Sequence, residues 1–366
     1  MKRTFVTLFP ATYNVHLLKD VGCIPYTMYK EYGYDSTIVT FKNDNYPYLN
    51  QYVKGLKMQF LSGANERTAC LRYVLKNARN IDVLNMYHIS IGKSLLCLCL
   101  YKILHRNGTS YLKLDLDLKT IKIIEGYSVI KKIVLRYMST KVDIISAEST
   151  SVANRMEHIL KRTVEYIPNG VLASYDESPQ TDINEHKQDI FLTVGRLGTE
   201  QKATENLLKA FDEIEKNTSW NLWLVGNCED EFKALLQEFF KEKPCLKKRI
   251  KVFGEVTDKN QLANIYKSCK VFVLPSKWEG FALVNVEAMI NGCALLLSDQ
   301  VSPANDFKRL GNFCNVVKYG NVRQLADEML NMTHISYDAN QIKKVAINSF
   351  LWSKICEKLN DKIINY

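Results

Sequence analysis

The sequence has no apolar run long enough to span a membrane. Its most apolar stretch, Ser94 to Leu104, is about half the roughly 20 residues a transmembrane helix needs, so a soluble protein, at most peripheral to a membrane, is expected. A secretory leader is not expected either. Met1-Lys2-Arg3 runs straight into strand-like residues with no small-residue cleavage site. Metal-binding cysteine spacing is missing. The ten cysteines are scattered, Cys97-Leu98-Cys99 has no second ligand pair nearby, and Cys97, Cys99, Cys269 and Cys293 sit in apolar stretches. That suits thiols packed as small hydrophobes in a reducing compartment. The expected location is cytoplasmic, and the acceptor-like matches at Asn107, Asn217 and Asn331 are then chance. No internal repeat is visible and no DNA- or RNA-binding module is present, so no nucleic-acid partner is expected.

What is there fits a well-cored globular chain. Its 366 residues exceed the size at which one hydrophobic core stops growing, so two domains are expected. Apolar residues make up 46% and aromatics 11%, which argues against disorder. The net charge of +10 implies an anionic partner without choosing its kind.

Along the first half, strand-like runs at Phe5–Phe9, Ser36–Phe41, Ile81–Met86, Ser110–Leu114, Val142–Ala147 and Val164–Ile167 alternate with helical patterns, clearest at Ile91–Leu104 and Ala153–Lys161. The pattern breaks at Ile167-Pro168-Asn169-Gly170 and a polar stretch follows from Ser174 to Lys187. Alternation restarts at Ile190–Val194, Trp220–Val225, Ile250–Phe253, Val271–Leu274, Ala294–Leu297 and Phe313–Val317. Repeated strand–helix alternation predicts α/β architecture with parallel sheets covered on both faces. The expected division is residues 1–168, then 169–345, then a C-terminal amphipathic helix over 346–366 with Phe350, Leu351, Ile355, Leu359 and Ile363 on one side.

Residues 271–299 carry the densest signal. A buried strand ends at Pro275-Ser276, Glu279-Gly280 makes a turn, a helix carrying Glu287 follows, Asn291-Gly292 stops it, and a second strand begins at Ala294. The loop at the strand's carboxyl end is where open α/β sheets bind phosphorylated ligands. A carboxylate at each end of such a turn is out of place for anion binding alone; it suits a ligand with hydroxyl groups beyond its phosphates. In FLTVGRLGTEQK (191–202), Arg196 follows a strand-ending glycine and Lys202 lies six residues on. A guanidinium offers a planar fork and an ammonium a mobile charge to phosphate oxygens.

These motifs in order, with WLVG (223–226), VFGEV (252–256), a helix containing Tyr266, VLPSKWEGFALVNVEAM and the closing Ser298-Asp299, resemble the C-terminal domain of retaining glycosyltransferases of family four. The preceding IPNGV is similar to that family's linker, and LWSKICEKL to its returning C-terminal helix. The resemblance implies the GT-B fold: two doubly wound Rossmann-like domains facing across a cleft, with the last helix packed back on the N-terminal domain. It implies a nucleotide-diphospho-sugar donor, a UDP-sugar being favoured, and a saccharide or lipid-linked saccharide acceptor. Retention of configuration and no metal or other cofactor are implied as well. By the same resemblance Arg196 and Lys202 bind the donor diphosphate with backbone N–H groups of Gly280, Phe281 and Ala282. Glu279 binds the transferred sugar and Glu287 the ribose.

The first half departs from the family. Its glycine pair after the first strand is replaced by FPATYNVHLLKDVGCIP, where Gly22 is the one candidate for a place beside the diphosphate. The family's histidine at an N-domain strand end has no counterpart in YLKLDLD (111–117), where Asp115 or Asp117 stands as the catalytic-side acid. Ala203 replaces the glycine usual after the donor lysine. An Asp-X-Asp pair is also the metal motif of another glycosyltransferase fold, but two carboxylates offer a hard cation few ligands. His16 and His88 lie near strand ends, His88 being the better candidate. Lys119, Lys122, Lys131, Lys132 and Arg136 are interleaved with isoleucines, valines and leucines. The pattern reads as a core-packed helix with a solvated face, or as a peripheral contact with an anionic membrane at the inner face of the plasma membrane. Assembly of a bacterial surface polysaccharide is the setting implied. Rival readings are a nucleotide-sugar epimerase or a phosphorylase on the same fold, and a non-catalytic partner subunit or sugar binder.

Overall fold

The apolar runs form strands because each is short, rich in β-branched residues and buried on both faces, the signature of parallel sheets. The computed structural model describes residues 2–172 and 183–366; the expected junction stretch, from Ser174, lies outside them as far as Asp182. The first sheet contains β1 (Thr4–Leu8), β2 (Asp35–Thr40), β3 (Lys57–Phe60), β4 (Val83–Tyr87), β5 (Thr109–Lys113), β6 (Ile144–Ala147) and β7 (Glu165–Tyr166). The second contains β8 (Gln188–Val194), β9 (Asn221–Val225), β10 (Ile250–Gly254), β11 (Cys269–Leu274), β12 (Ala294–Ser298) and β13 (Cys314–Val317). Every residue of β4, β5 and β12 is buried.

Strand order is β3-β2-β1-β4-β5-β6-β7 in one sheet and β10-β9-β8-β11-β12-β13 in the other, with every pairing parallel. The chain therefore winds outward twice from a central pair, β1/β4 in the first sheet and β8/β11 in the second. At such a reversal the connections leave in opposite directions, opening a crevice at the strands' carboxyl ends. The chain divides into two compact units, 1–176 with 350–366, and 177–349.

Two features differ from the sequence reading. The edge strand β3 was not expected: its four residues are partly or fully exposed, so no apolar run marks it. The terminal segment is two helices, Ala339–Phe350 and Trp352–Ile364, rather than one. Leu351 between them is extended and bridges Val171. The break is held by backbone pairing, since Val171 N–H donates to the Phe350 carbonyl at 2.9 Å and Trp352 N–H donates to the Val171 carbonyl at 3.1 Å. The last helix belongs to the first unit. There it buries Trp352, Ile355, Cys356, Leu359 and Ile363 in one cluster with Cys23, Ile24 and Met28 of the Asp20–Tyr32 helix. All ten cysteines are free, and seven are buried. Among the described residues no helix is long and apolar enough to cross a membrane.

Candidate active site

In the second unit the reversal point between β8 and β11 brings two loops together. After β8 come Gly195 and Arg196, and the chain turns back at Lys202. A side chain at 195 would meet the Lys202 stem, since an added Cβ lies 2.9 Å from Cε. Glycine thus lets the lysine lie across the strand end. Its Nζ reaches Glu279 Oε1 at 2.5 Å, both side chains being largely withdrawn from solvent. Ser276 Oγ donates to the same oxygen at 2.9 Å.

Glu279 is fixed from its backbone as well. Its N–H donates to the Gln300 carbonyl, and its own carbonyl accepts from Ser302 N–H and, at 2.8 Å, Ser302 Oγ. Arg196 donates to Gln201 Oε1 at 2.8 Å, and Gln201 Nε2 donates to the Trp278 carbonyl at 3.2 Å. Lys277 N–H donates to the Gln201 carbonyl. The loop 196–202 and the loop 275–282 are therefore stitched by side chain and backbone.

Gly280, Phe281 and Ala282 lead into the Val284–Ile290 helix. The Phe281 ring is buried against Phe307, and Ala282 has φ +56°. The first backbone donors used inside this turn belong to Asn285 and Glu287, bonded to the carbonyls of Ala282 and Leu283; positions before them carry no intrahelical bond. Further along the helix, Glu287 accepts a hydrogen bond from the Tyr266 hydroxyl at 3.1 Å. Burial pushes the Glu287 carboxyl above its ordinary range, and the tyrosine hydroxyl opposes that shift. Ala203, after Lys202, has φ +47° and ψ +41°. The left-handed geometry explains why glycine suits that position.

The first unit has a polar cluster at the ends of β4, β5 and β6. His88 and Asp115, one residue past β4 and two past β5, have φ of +57° and +44°. Left-handed non-glycine residues concentrate where side chains must be aimed. His88 Nε2 lies 3.3 Å from Asp115 Oδ2. That hydrogen bond raises the His88 pKa above 6.5. Desolvation works to raise Asp115, yet the bond and charge of His88, with Lys113 and Lys19, bring it below the usual value. Lys113 is fully buried and donates to the Ile167 carbonyl at 2.9 Å.

Sequence reasoning missed two members of this cluster. Glu148 directly follows β6, accepts from Leu116 N–H at 2.9 Å through Oε1, and has no partner for Oε2 among the described residues. Burial, then the Asp115 charge, pushes its carboxyl up to about 8. Asp20 Oδ2 is likewise buried without a partner, and burial raises that carboxyl to about 6. Glu148 follows its strand directly, as His88 follows β4, but nothing in the sequence marks that carboxyl as buried.

Two sequence candidates sit elsewhere. Asp117 caps the Leu118–Glu125 helix, its Oδ1 accepting from Thr120 N–H at 2.6 Å, so the two acids of Asp-X-Asp serve different partners. Gly22 is the third residue of the Asp20–Tyr32 helix rather than a loop residue, and its N–H donates to the Lys19 carbonyl. An added Cβ would come 2.3 Å from the Leu17 carbonyl oxygen, so glycine is needed there for packing. A cavity of about 250 Å³ lies over the β1 and β4 ends, lined by Phe9, Ala11, Arg67, Tyr87, His88 and Lys93 among others.

Known proteins give the class. Residues 175–349 match the family model described as glycosyl transferases, group 1. No curated protein matches by sequence. Sucrose-phosphate synthase from Thermosynechococcus elongatus superposes with a TM-score of 0.73 at 16% identity, covering 100% of this chain and 99% of that one. Anabaena HepE in complex with UDP gives 0.71 at 15% identity, covering 100% of both chains. The lipopolysaccharide outer core galactosyltransferase WaaB gives 0.72 at 16%, covering 100% and 99%. The fold is GT-B, and the matched domain together with that fold supports a glycosyltransferase.

Proposed function

We propose that the chain is a retaining hexosyltransferase of family four that takes its sugar from a UDP-sugar and needs no metal. The carrying observation is the Lys202–Glu279 pair at the β8/β11 reversal, beside Arg196 and the 280–282 turn. Arg196 and Lys202 face the donor diphosphate. Backbone N–H groups of Gly280, Phe281 and Ala282 hold its distal phosphate, Glu279 hydrogen-bonds the transferred sugar, and Glu287 takes the ribose. Fixed cations and backbone donors stabilise the negative charge that grows on the leaving diphosphate, without reorganisation at the moment of reaction. That HepE has been solved with UDP, and also with UDP-glucose, supports a uridine donor.

In the reaction the bond from the sugar's anomeric carbon to the phosphate oxygen breaks while the acceptor oxygen bonds to the same face. The acceptor proton passes to the leaving phosphate. No second carboxylate acting as nucleophile is required, unlike retaining hydrolases. Asp115, held by His88, is the acid proposed to face the transferred sugar; Asp117 is occupied as a helix cap. The acceptor is a saccharide or lipid-linked saccharide of a bacterial surface polysaccharide.

A non-catalytic sugar binder would keep the donor contacts but not turn over. The test is incubation with UDP-sugars and a panel of saccharide acceptors, with anomeric configuration of the product read by NMR. A product of retained configuration supports the proposal. Donor binding without transfer to any acceptor, or an epimerised nucleotide sugar, contradicts it.

A further inference from the structure

The interleaved basic and apolar stretch admits two readings by sequence, and the structure separates them. On the Val129–Ser139 helix only Leu135 and Ser139 are buried. Val129, Ile130, Ile133 and Tyr137 are each more than half exposed, reaching 76% at Ile130, and Val134 is exposed beside them. Their spacing of one, four, five and eight residues from Val129 puts them on one helical face, turned outward. The preceding Leu118–Glu125 helix buries Ile121 and Ile124 but exposes Ile123. Six of the sixteen large apolar side chains exposed among the described residues fall within 123–137. Scattered surface apolar residues need no explanation, but a contiguous patch does.

Charge says what covers it. Residues 118–139 contain five cations, Lys119, Lys122, Lys131, Lys132 and Arg136, and one acid, Glu125. Both Glu125 oxygens are already taken by Arg155. Lys131 Nζ sits 3.3 Å from the Tyr127 ring centre, and Lys141 lies over Tyr137. Aliphatic side chains raised among lysines, with no free acid between them, match a layer of acyl chains beneath anionic headgroups. Beside the patch runs a groove of about 250 Å³ lined by Ile89, Ser90, Ile91, Ile124, Tyr127 and Lys131. Ser90 also lines the cavity over the β1 and β4 ends, so the two hollows adjoin the same residue.

We infer that the outer face of the Leu118–Glu125 and Val129–Ser139 helices docks on an anionic lipid bilayer, Val129, Ile130, Ile133 and Tyr137 entering the acyl boundary and the lysines meeting headgroups. The inference does not depend on the glycosyl-transfer reading, because it concerns a face that neither the Lys202–Glu279 pair nor the His88–Asp115 pair occupies.

The test uses the full chain and no nucleotide. Co-sedimentation is measured with phosphatidylcholine vesicles and with vesicles carrying roughly one third phosphatidylglycerol. The variants are Ile130→Ser with Ile133→Ser, and Lys131→Gln with Lys132→Gln, each checked for an unchanged melting curve. The expected result is binding to the anionic vesicles at least tenfold tighter than to the neutral ones. Each double variant should weaken it about tenfold or more, and salt should weaken it further. Equal or absent binding to both vesicles overturns the inference, as does anionic binding that Ile130→Ser with Ile133→Ser leaves unchanged. Self-association that these variants abolish, without vesicle binding, would instead make the face a protein interface and overturn it too.

Discussion

Lys202 Nζ and Glu279 Oε1 lie 2.5 Å apart, one in the loop after β8 and the other in the loop after β11, two positions 77 residues apart in the chain. A cation proposed for phosphate and an acid proposed for sugar hydroxyls are thus paired with each other. The pairing keeps both charges satisfied while they are withdrawn from water, and it sets the acid's orientation by Ser276 and the lysine together.

Breaking that pair should cost stability and reveal coupling. Lys202→Ala leaves the Glu279 carboxylate with Ser276 alone, and removing one partner of a buried pair is expensive. The expected loss is about 2 kcal/mol by urea unfolding. Lys202→Ala combined with Glu279→Ala should lose less than the sum of the single changes. Strict additivity would show that the two side chains do not support each other.

Ala203→Gly should stabilise the protein. Alanine at φ +47° is strained, and relief of left-handed strain gains roughly 1 kcal/mol, partly offset by the freer unfolded chain. A net rise of about 0.5 kcal/mol in unfolding free energy, with nucleotide binding unchanged, is the expected outcome. A destabilised variant would contradict the assignment of strain.

Glu148 should make stability fall as pH rises. Its folded carboxyl titrates near 8 rather than near its ordinary value, so the folded state holds a proton that the unfolded chain gives up at lower pH. The contribution is fully present below the unfolded value and lost progressively as pH climbs through the interval to about 8. The loss is on the order of a few kcal/mol. Asp20, raised to about 6, acts in the same direction over a lower window. Glu148→Gln should flatten the profile of urea midpoint against pH between about 5 and 8. A profile unchanged by the substitution would mean that Glu148 is ionised in the folded protein.

His88 should titrate above its ordinary value because Asp115 holds its ring. Following the imidazole resonance by NMR, Asp115→Asn should bring the pKa down, since the carboxylate charge is removed and the amide oxygen left in its place is a weaker, neutral acceptor. An unchanged titration would dissolve the pair.

Much of the architecture was legible because parallel strands announce themselves. Val271–Leu274 and Ala294–Leu297 are apolar on both faces, and the strand ends carry turn residues. The edge strand Lys57–Phe60 was not legible, since its exposed side chains supply no such contrast. The interruption at Leu351 was hidden for another reason: it depends on backbone pairing with Val171, which local periodicity does not report. In the site, Arg196 and Lys202 could be named from their places after a glycine-ended strand and Glu279 from the turn after Pro275-Ser276, and the structure brings Lys202 and Glu279 into contact. Glu148 and Asp20 could not, because an isolated acid acquires meaning only when burial withdraws it from water. Gly22 shows the converse. By resemblance Gly22 stands for a glycine beside the diphosphate, whereas the Leu17 carbonyl fills the space a side chain at that position would need.

Arg196 and Lys202 are proposed to make a site for a nucleotide diphosphate, and calorimetric titration of UDP into the full chain tests this most directly. Wild-type protein should bind, and Arg196→Ala and Lys202→Ala should each weaken binding at least tenfold, about 1.4 kcal/mol or more, with the heat of the remaining binding reduced. Affinity unchanged in both variants, titrated at a temperature where each remains folded, would contradict it.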